Sequence, residues 1–184
     1  KFIYNLLSYF FFLFKGLTDK KKFIILTPKF LAKFFKKIII FNKINNNFLK
    51  QYVRDNHDVD TVYEIFGNED YDITKYAQWN QIKDNNISKI PLIIDCGANI
   101  GSSANFFFQH FSNSKIVCIE PEKKNFEQIK KNLDTKNVEL ILSAVSSETK
   151  KYEIIYSEDN RGFQVNYELT NSSNENTSIR INDI

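Results

Sequence analysis

Methionine is absent from all 184 residues, and the chain opens on Lys1. The sequence therefore reads as a fragment whose true start is missing or processed. Cysteine is almost as scarce. Cys96 and Cys118 are the only two, and both fall in segments predicted to be buried strands. Buried thiols of that kind are usually inert small hydrophobes. A disulfide framework is disfavoured, which points to a reducing cytoplasm. Histidine occurs only at positions 57 and 110. No Cys/His/Asp cluster has zinc spacing and no nucleophile elbow is present, so no metal site is expected and no catalytic residue is assigned. Both histidines read as surface residues, His110 on the polar side of its helix. No apolar run reaches the ~20 residues of a membrane-crossing helix. The longest, residues 2–14, is broken by Asn5 and Ser8 and lacks a following small-residue cleavage site. Because Lys1 is not a start, the run could continue upstream; a core or docking helix is the preferred reading.

Acidic residues are nearly missing from the first fifty positions, which hold eleven lysines and one acid, Asp19. The remaining residues hold fourteen basic and twenty-one acidic side chains, so the two parts differ in their expected surroundings. Hydrophobic content of 42% with 18 Phe and 9 Tyr suffices for a core. The length allows one domain and an appendage. Residues 1–56 are read as a basic helical region and residues 59–184 as the main domain. That domain has lead-in strands within 59–75 and its core begins at residue 90.

Within the first part, Pro28 can open a helix. At helical spacing Phe30, Leu31, Phe34, Phe35, Ile38 and Ile39 share one half of the wheel, opposite Lys29, Lys33, Lys36 and Lys37. The pattern predicts an amphipathic basic helix over residues 28–41. Two uses stay open: packing on the domain with solvated lysines, which is preferred, and peripheral contact with an anionic membrane. Nucleic acid is disfavoured, because arginines and interleaved stacking aromatics are absent from the charged face. Asn45–Asn47 mark a break. Residues 61–66 read as a strand, and Glu69, Asp70 and Asp72 as a solvated turn lacking the ligand spacing of a calcium loop.

From residue 90 a βαβ pattern emerges. Residues 92–95 form a strand, 102–111 a helix with Ala104, Phe107, Phe108 and Phe111 on one arc, and 115–119 the next strand. A helix opens at Pro121, with Phe126, Ile129 and Leu133 at helical spacing, and residues 138–142 give a third strand. Residues 152–156 and 163–169 read as an antiparallel β insertion, and 171–177 as a polar loop.

The chemistry concentrates at the strand ends. Asp95-Cys96-Gly97-Ala98-Asn99-Ile100-Gly101 forms a small-residue turn between strand and helix. Glu120 ends the second strand, where an acid can accept ribose hydroxyls. The G-x-G-x-x-G pattern of a dinucleotide turn is not met, since no third glycine stands at the helix entry. Asp95 adds negative charge where a pyrophosphate would sit. A cofactor carrying an ammonium and a sulfonium, S-adenosylmethionine, tolerates that acid better.

Asp95–Gly101, then Ile119-Glu120-Pro121-Glu122, Asn125-Phe126 and Lys131-Asn132-Leu133, resembles the FkbM family of methyltransferases. Glu64-Ile65-Phe66, Glu69-Asp70-Tyr71, Ser143-Ala144-Val145 and 178–184 extend the likeness over residues 60–184. The resemblance implies a Rossmann-like doubly wound α/β methyltransferase sheet, C-terminally truncated before an Asp-x-Glu-Gly type strand and preceded by a helical segment. This fragment alone would be an incomplete enzyme. It further implies O-methylation of a hydroxyl on a sugar, polysaccharide or secondary metabolite. The implied cofactor site comprises Asp95, Gly97, Ala98, Asn99, Gly101, Glu120, Pro121, Ser143 and Ala144. Ser143 and Ala144 lie where the adenine edge usually sits. A cytoplasmic location, at most peripheral to the inner face of the membrane, accompanies that reading. The alternatives are an NAD-dependent oxidoreductase on the same architecture and a membrane-associated accessory module with a vestigial cofactor fold. The intact pairing of Gly97 and Gly101 with Glu120 argues against the last.

Overall fold

A computed structural model describes residues 2–78, 91–149, 151–155, 164–167 and 177–180. They fall into two units: Lys1–Pro91 with Asn105–Asn113, and Leu92–Ala104 with Ser114–Ile184. The fold is mixed α/β.

The first unit contains helix α1 (Phe2–Thr18), strand β1 (Phe23–Ile25), helix α2 (Lys29–Phe35), strands β2 (Lys37–Asn42) and β3 (Asn47–Tyr52), and helix α3 (Asn56–Val62). β1, β2 and β3 form an antiparallel sheet in that order. The helix predicted over residues 28–41 is corrected here. It opens at Pro28 as expected but lasts only to Phe35, and Lys36 takes left-handed backbone angles with φ 53°. Left-handed residues commonly end helices. Beyond it, Ile38-Ile39-Ile40 is a β-branched run that suits a pleated surface. Ile38 and Ile40 are buried while Lys37 is exposed. The region read as helical is therefore half sheet, and Ile38 does not continue the helix face of Phe30 and Phe34.

Residues 59–75 contain no lead-in strands. α3 is capped by Asp55, whose carboxylate accepts from the Asp58 N–H at 3.0 Å. The Asp58 carboxylate in turn holds the Arg54 guanidinium at 2.8 and 2.9 Å. The chain then continues as a π-helical turn through Tyr63–Asn68 and a 3-10 turn at Ile73–Lys75. A six-residue apolar stretch cannot distinguish strand from helix by periodicity, and here the preceding cap decides. The acidic turn is corrected too. Glu69 and Asp72 are buried. Glu69 accepts from the backbone N–H groups of Lys22 and Phe23, and Asp72 pairs with Lys22 Nζ at 2.9 Å. These carboxylates complete the open edge of β1, where buried donors need acceptors.

The core of this unit is a cluster of rings. Phe23 lies 5.1 Å from Phe66 and 5.1 Å from Phe106, and Phe66 lies 5.7 Å from Phe106. Offset and edge contacts at such distances are favourable.

In the second unit β4 (Leu92–Cys96), β5 (Lys115–Ile119) and β6 (Val138–Ile141) form a parallel sheet in chain order. The crossovers carry helix α4 (Ser102–His110), whose residues from Asn105 onward belong to the first unit, and helix α5 (Lys123–Asn132). Central β5 is buried from Ile116 to Ile119, as a parallel strand flanked on both sides should be. β7 (Glu153–Ile155) and β8 (Gln164–Asn166) pair antiparallel, as the alternation predicts. Of the predicted loop 171–177, only Thr177 lies among the described residues. On α4 the most buried phenylalanine is Phe106, where the sequence pattern favours 107, 108 and 111.

The boundary at Lys36 gives two opposite expectations. Ile38→Ala empties a fully buried strand position and should cost about 2–5 kcal/mol in urea unfolding. Phe34, 80% exposed at the end of α2, should tolerate Ala within about 0.5 kcal/mol. Comparable losses at both positions would restore the continuous helix.

Candidate functional site

Parallel pairing sets the residues of interest level with one another. Cys96 pairs with Ile119, and Ile119 with Ile141. Asp95 through Gly101, Glu120 with Pro121, and Ser143 with Ala144 therefore gather at the carboxyl ends of three adjacent strands. Ligands of open parallel sheets bind at that edge.

The turn after β4 is built from backbone hydrogen bonds and left-handed residues. Gly97 and Ala98 N–H both donate to the Ile119 carbonyl, at 2.8 and 3.1 Å, and Gly101 N–H donates to Ala98 O at 2.8 Å. Gly97, Asn99 and Gly101 have φ of 82°, 49° and 80°. The two glycines meet different surroundings. A Cβ on Gly101 would lie 3.3 Å from both Ile129 and Leu133, whereas one on Gly97 would meet nothing within 4 Å. Gly101 thus permits close approach to α5, and Gly97 leaves the space above the turn open. The donors of Gly97, Ala98 and Gly101 are used within the chain, so what those residues offer a ligand is room.

Glu120 is 3% exposed. One carboxylate oxygen accepts from Asn99 N–H at 2.8 Å, and the other from Glu122 N–H at 3.0 Å and Asn125 Nδ2 at 3.3 Å. Burial pushes its pKa up, aided by the neighbouring Glu122 carboxylate, against the lowering effect of these three donors. A carboxylate has about four lone-pair sites, so about one remains. Asn99 Oδ1 is a second acceptor, buried and without a hydrogen-bond partner. Such groups are uncommon enough to call for a reason.

Asp95 turns toward α4. It accepts from Ser103 Oγ at 2.6 Å and from the Ala104 N–H, while burial outweighs both and raises its pKa. The carboxylate occupies the positive end of the helix, where anions are favoured. Cys96 beside it is exposed, contrary to the buried position expected for it, and partial desolvation of its thiol and then Asp95 push its pKa up, which keeps it protonated. Pro121 precedes α5, whose cap is Glu122 accepting from Asn125 N–H at 2.7 Å. Ser143 and Ala144 are buried. The Ser143 hydroxyl contacts Thr177 O at 2.7 Å, and Ala144 O accepts from Ile179 N–H at 2.8 Å. The returning segment 177–180 thus engages these groups.

Sequence reasoning missed four side chains. Glu122 and Asn125 fix Glu120, and their three-residue spacing is a helix-cap signature that could have shown them. Asn132 donates from Nδ2 to Ile100 O at 2.8 Å and ties the turn to α5. Tyr152 is buried, and its hydroxyl pKa is raised by burial, then by Tyr167 and Glu120. Asn132 belongs to the Lys131-Asn132-Leu133 stretch of the resemblance though its contact is not local, and no local pattern announces Tyr152.

His110 is corrected as well. It belongs to the first unit, with its ring 4.4 Å from Phe106 and 5.5 Å from Phe23. Its Nδ1 lies 3.0 Å from Phe106 O and its Nε2 is buried. Burial lowers its pKa, so it packs as a neutral ring and is not a surface group. A cleft of about 580 Å³ lined by Tyr9, Lys29, Tyr63 and Glu64 also lies in the first unit. It contains none of the strand-end residues of the second unit. The Tyr63 hydroxyl there donates to Thr27 O at 2.7 Å. Among the described residues no group of three His, Cys, Asp or Glu side chains is placed to hold a metal.

The chain matches no protein-family model, no curated protein and no solved structure.

Glu120→Ala should cost about 1–3 kcal/mol of stability, because it strands buried donors. A normal unfolding midpoint would remove Glu120 from this structural joint. Asp95 gives a pH test. Its folded pKa lies above the ordinary 3.8, so the folded state holds the proton more tightly than the unfolded one. Relative to Asp95→Asn, the wild type should lose stability as pH rises from about 3.8 through the raised native value. Above that the difference should be flat. Urea midpoints of both proteins over that range measure it, and a difference growing in the opposite direction would contradict the burial argument.

Proposed function

We propose that the second unit is the cofactor-binding part of an S-adenosylmethionine-dependent methyltransferase on a Rossmann-like doubly wound sheet, a relative of the FkbM methyltransferases. The acceptor would be a hydroxyl of a sugar, polysaccharide or secondary metabolite. One observation carries the choice of cofactor: the Asp95 carboxylate sits on the first turn of α4, bonded to Ser103. A dinucleotide places its pyrophosphate at that helix end. A phosphate there would face a carboxylate. A cationic cofactor would be drawn to it.

The residues present fit such a cofactor. Gly97 leaves room above the turn, Glu120 retains about one acceptor site, and Asn99 Oδ1 is an acceptor in want of a donor. In this reading Glu120 takes one ribose hydroxyl, Asn99 satisfies a second donor, and Asp95 supplies negative potential for the ammonium. When bound, S-adenosylmethionine supplies a methyl group already activated by the sulfonium. The chain's part is then to hold the acceptor oxygen in line.

Isothermal calorimetry tests the reading. S-adenosylmethionine and its demethylated product should each bind at least tenfold more tightly than NAD. Equal or tighter NAD binding would move the assignment to an oxidoreductase.

A further inference from the structure

Helix α1 has two apolar faces, and its own unit buries one. On the inner side Gly16 is buried, with a built Cβ 3.5 Å from Ile24 of β1, and Tyr9 hydrogen-bonds the Leu26 carbonyl. On the outer side Leu7, Phe10, Phe11, Phe14 and Leu17 are 57–71% exposed. Their positions fall at i, i+3, i+4, i+7 and i+10, one stripe of a helix. Contiguous exposed apolar surface of this kind marks an interaction site.

The sheet beneath extends the same surface. Ile24 pairs with Phe41, and Phe41 with Phe48, so all three lie on the face that α1 partly covers. Continuing along β2 and β3, Ile39 pairs with Lys50 and Lys37 with Tyr52. At the β3 edge Phe48 is 65% and Tyr52 41% exposed, and Lys37 and Lys50 are exposed between them. Aromatic and basic side chains therefore alternate beside the apolar stripe.

We propose that this face, α1 with the outer surface of β2–β3, lies on an anionic lipid bilayer. Charge selects that occupant. The first fifty residues carry eleven lysines against one acid. A second copy docking through this face would bring two strongly positive segments together, whereas an acidic bilayer neutralises them. Geometry selects the orientation. The exposed stripe runs along one side of α1, while Gly16 and Tyr9 on the other side are held against Ile24 and the Leu26 carbonyl, and no described helix is long and apolar enough to cross a membrane. The helix lies in the interface plane, as amphipathic anchors do. The surface shares Lys37, Ile39 and Phe41 with the segment 28–41, but as one face of a strand whose other face, Ile38 and Ile40, is buried.

Vesicle sedimentation of the intact chain tests this, using phosphatidylglycerol–phosphatidylcholine and pure phosphatidylcholine vesicles. At low salt the chain should sediment with the anionic vesicles at least tenfold more than with neutral ones, and high salt should release it, since screening acts within about 10 Å at 0.1 M. Phe10→Ser/Phe14→Ser should reduce binding at least tenfold with an unchanged melting temperature, and Lys37→Glu/Lys50→Glu should reduce it on anionic vesicles only. Three results would overturn the proposal. They are no sedimentation at low salt, a melting temperature lowered by the Phe10/Phe14 change (the chain itself covers the face), and a dimer in sedimentation velocity abolished by that change.

Discussion

The second unit turns on one buried carboxylate. Glu120 ends β5, and its oxygens take donors from the β4 turn at Asn99, from the chain leading into α5 at Glu122, and from α5 itself at Asn125. Remove it and three elements lose a common acceptor in a place that water does not reach. Burial disfavours its ionised form there, which is why its pKa rises even with three donors around it. The same side chain that a ligand would contact also fixes the turn that would receive the ligand. Binding and local order are therefore coupled at this residue. A change in cofactor affinity at Glu120 can be attributed to lost contact only after stability has been measured.

Legibility differed sharply between the two units, and the difference has a physical origin. In the second unit each element announces itself within a short window. Lys115–Ile119 is a buried apolar strand, Pro121 and Glu122 open α5, and the parallel partners are separated by single helices. Local signals agree with one another there, and strand and helix boundaries fall within a residue or two of their predicted places. In the first unit the decisive terms are not local. Ile38-Ile39-Ile40 continues the helical wheel begun at Phe30 as well as it makes a strand. What ends the helix is the left-handed Lys36, together with pairing to Asn47–Tyr52. The segment 61–66 has strand composition but inherits helical geometry from the cap at Asp55. Glu69 and Asp72 read as solvated acids because the donors they serve, at Lys22 and Phe23, lie more than forty residues earlier in the chain.

The site was legible as positions and less so as roles. Asp95, the Gly97–Gly101 turn, Glu120 and Ser143 do come to one edge of the parallel sheet, because strand ends in a βαβ pattern must. Their partners could not be read in advance. Asp95 spends its acceptor capacity on α4, and Ser143 contacts the chain returning at Thr177. Asn132 and Tyr152 reach the site through tertiary packing, and Tyr152 belongs to no motif. A titratable or polar side chain in such a cluster is thus more informative for what it leaves unsatisfied than for its presence. By that measure Asn99, left with a buried acceptor, points to a ligand more directly than the serine does.

The two glycines of the turn make the same distinction within a single motif. Both adopt φ near 80°, so both are expected on backbone grounds alone. Only Gly101 is also required by packing, since a methyl group there would press on Ile129 and Leu133 at 3.3 Å. Gly97 has no neighbour within 4 Å of its built Cβ. Backbone angle would explain a glycine at either position, and an asparagine serves the same angle at residue 99. What the angle does not explain is the empty volume over Gly97, at the strand edge where ligands of parallel sheets bind. In the proposed function, space of that kind at the head of a helix already capped by an aspartate would suit a ligand that brings positive charge.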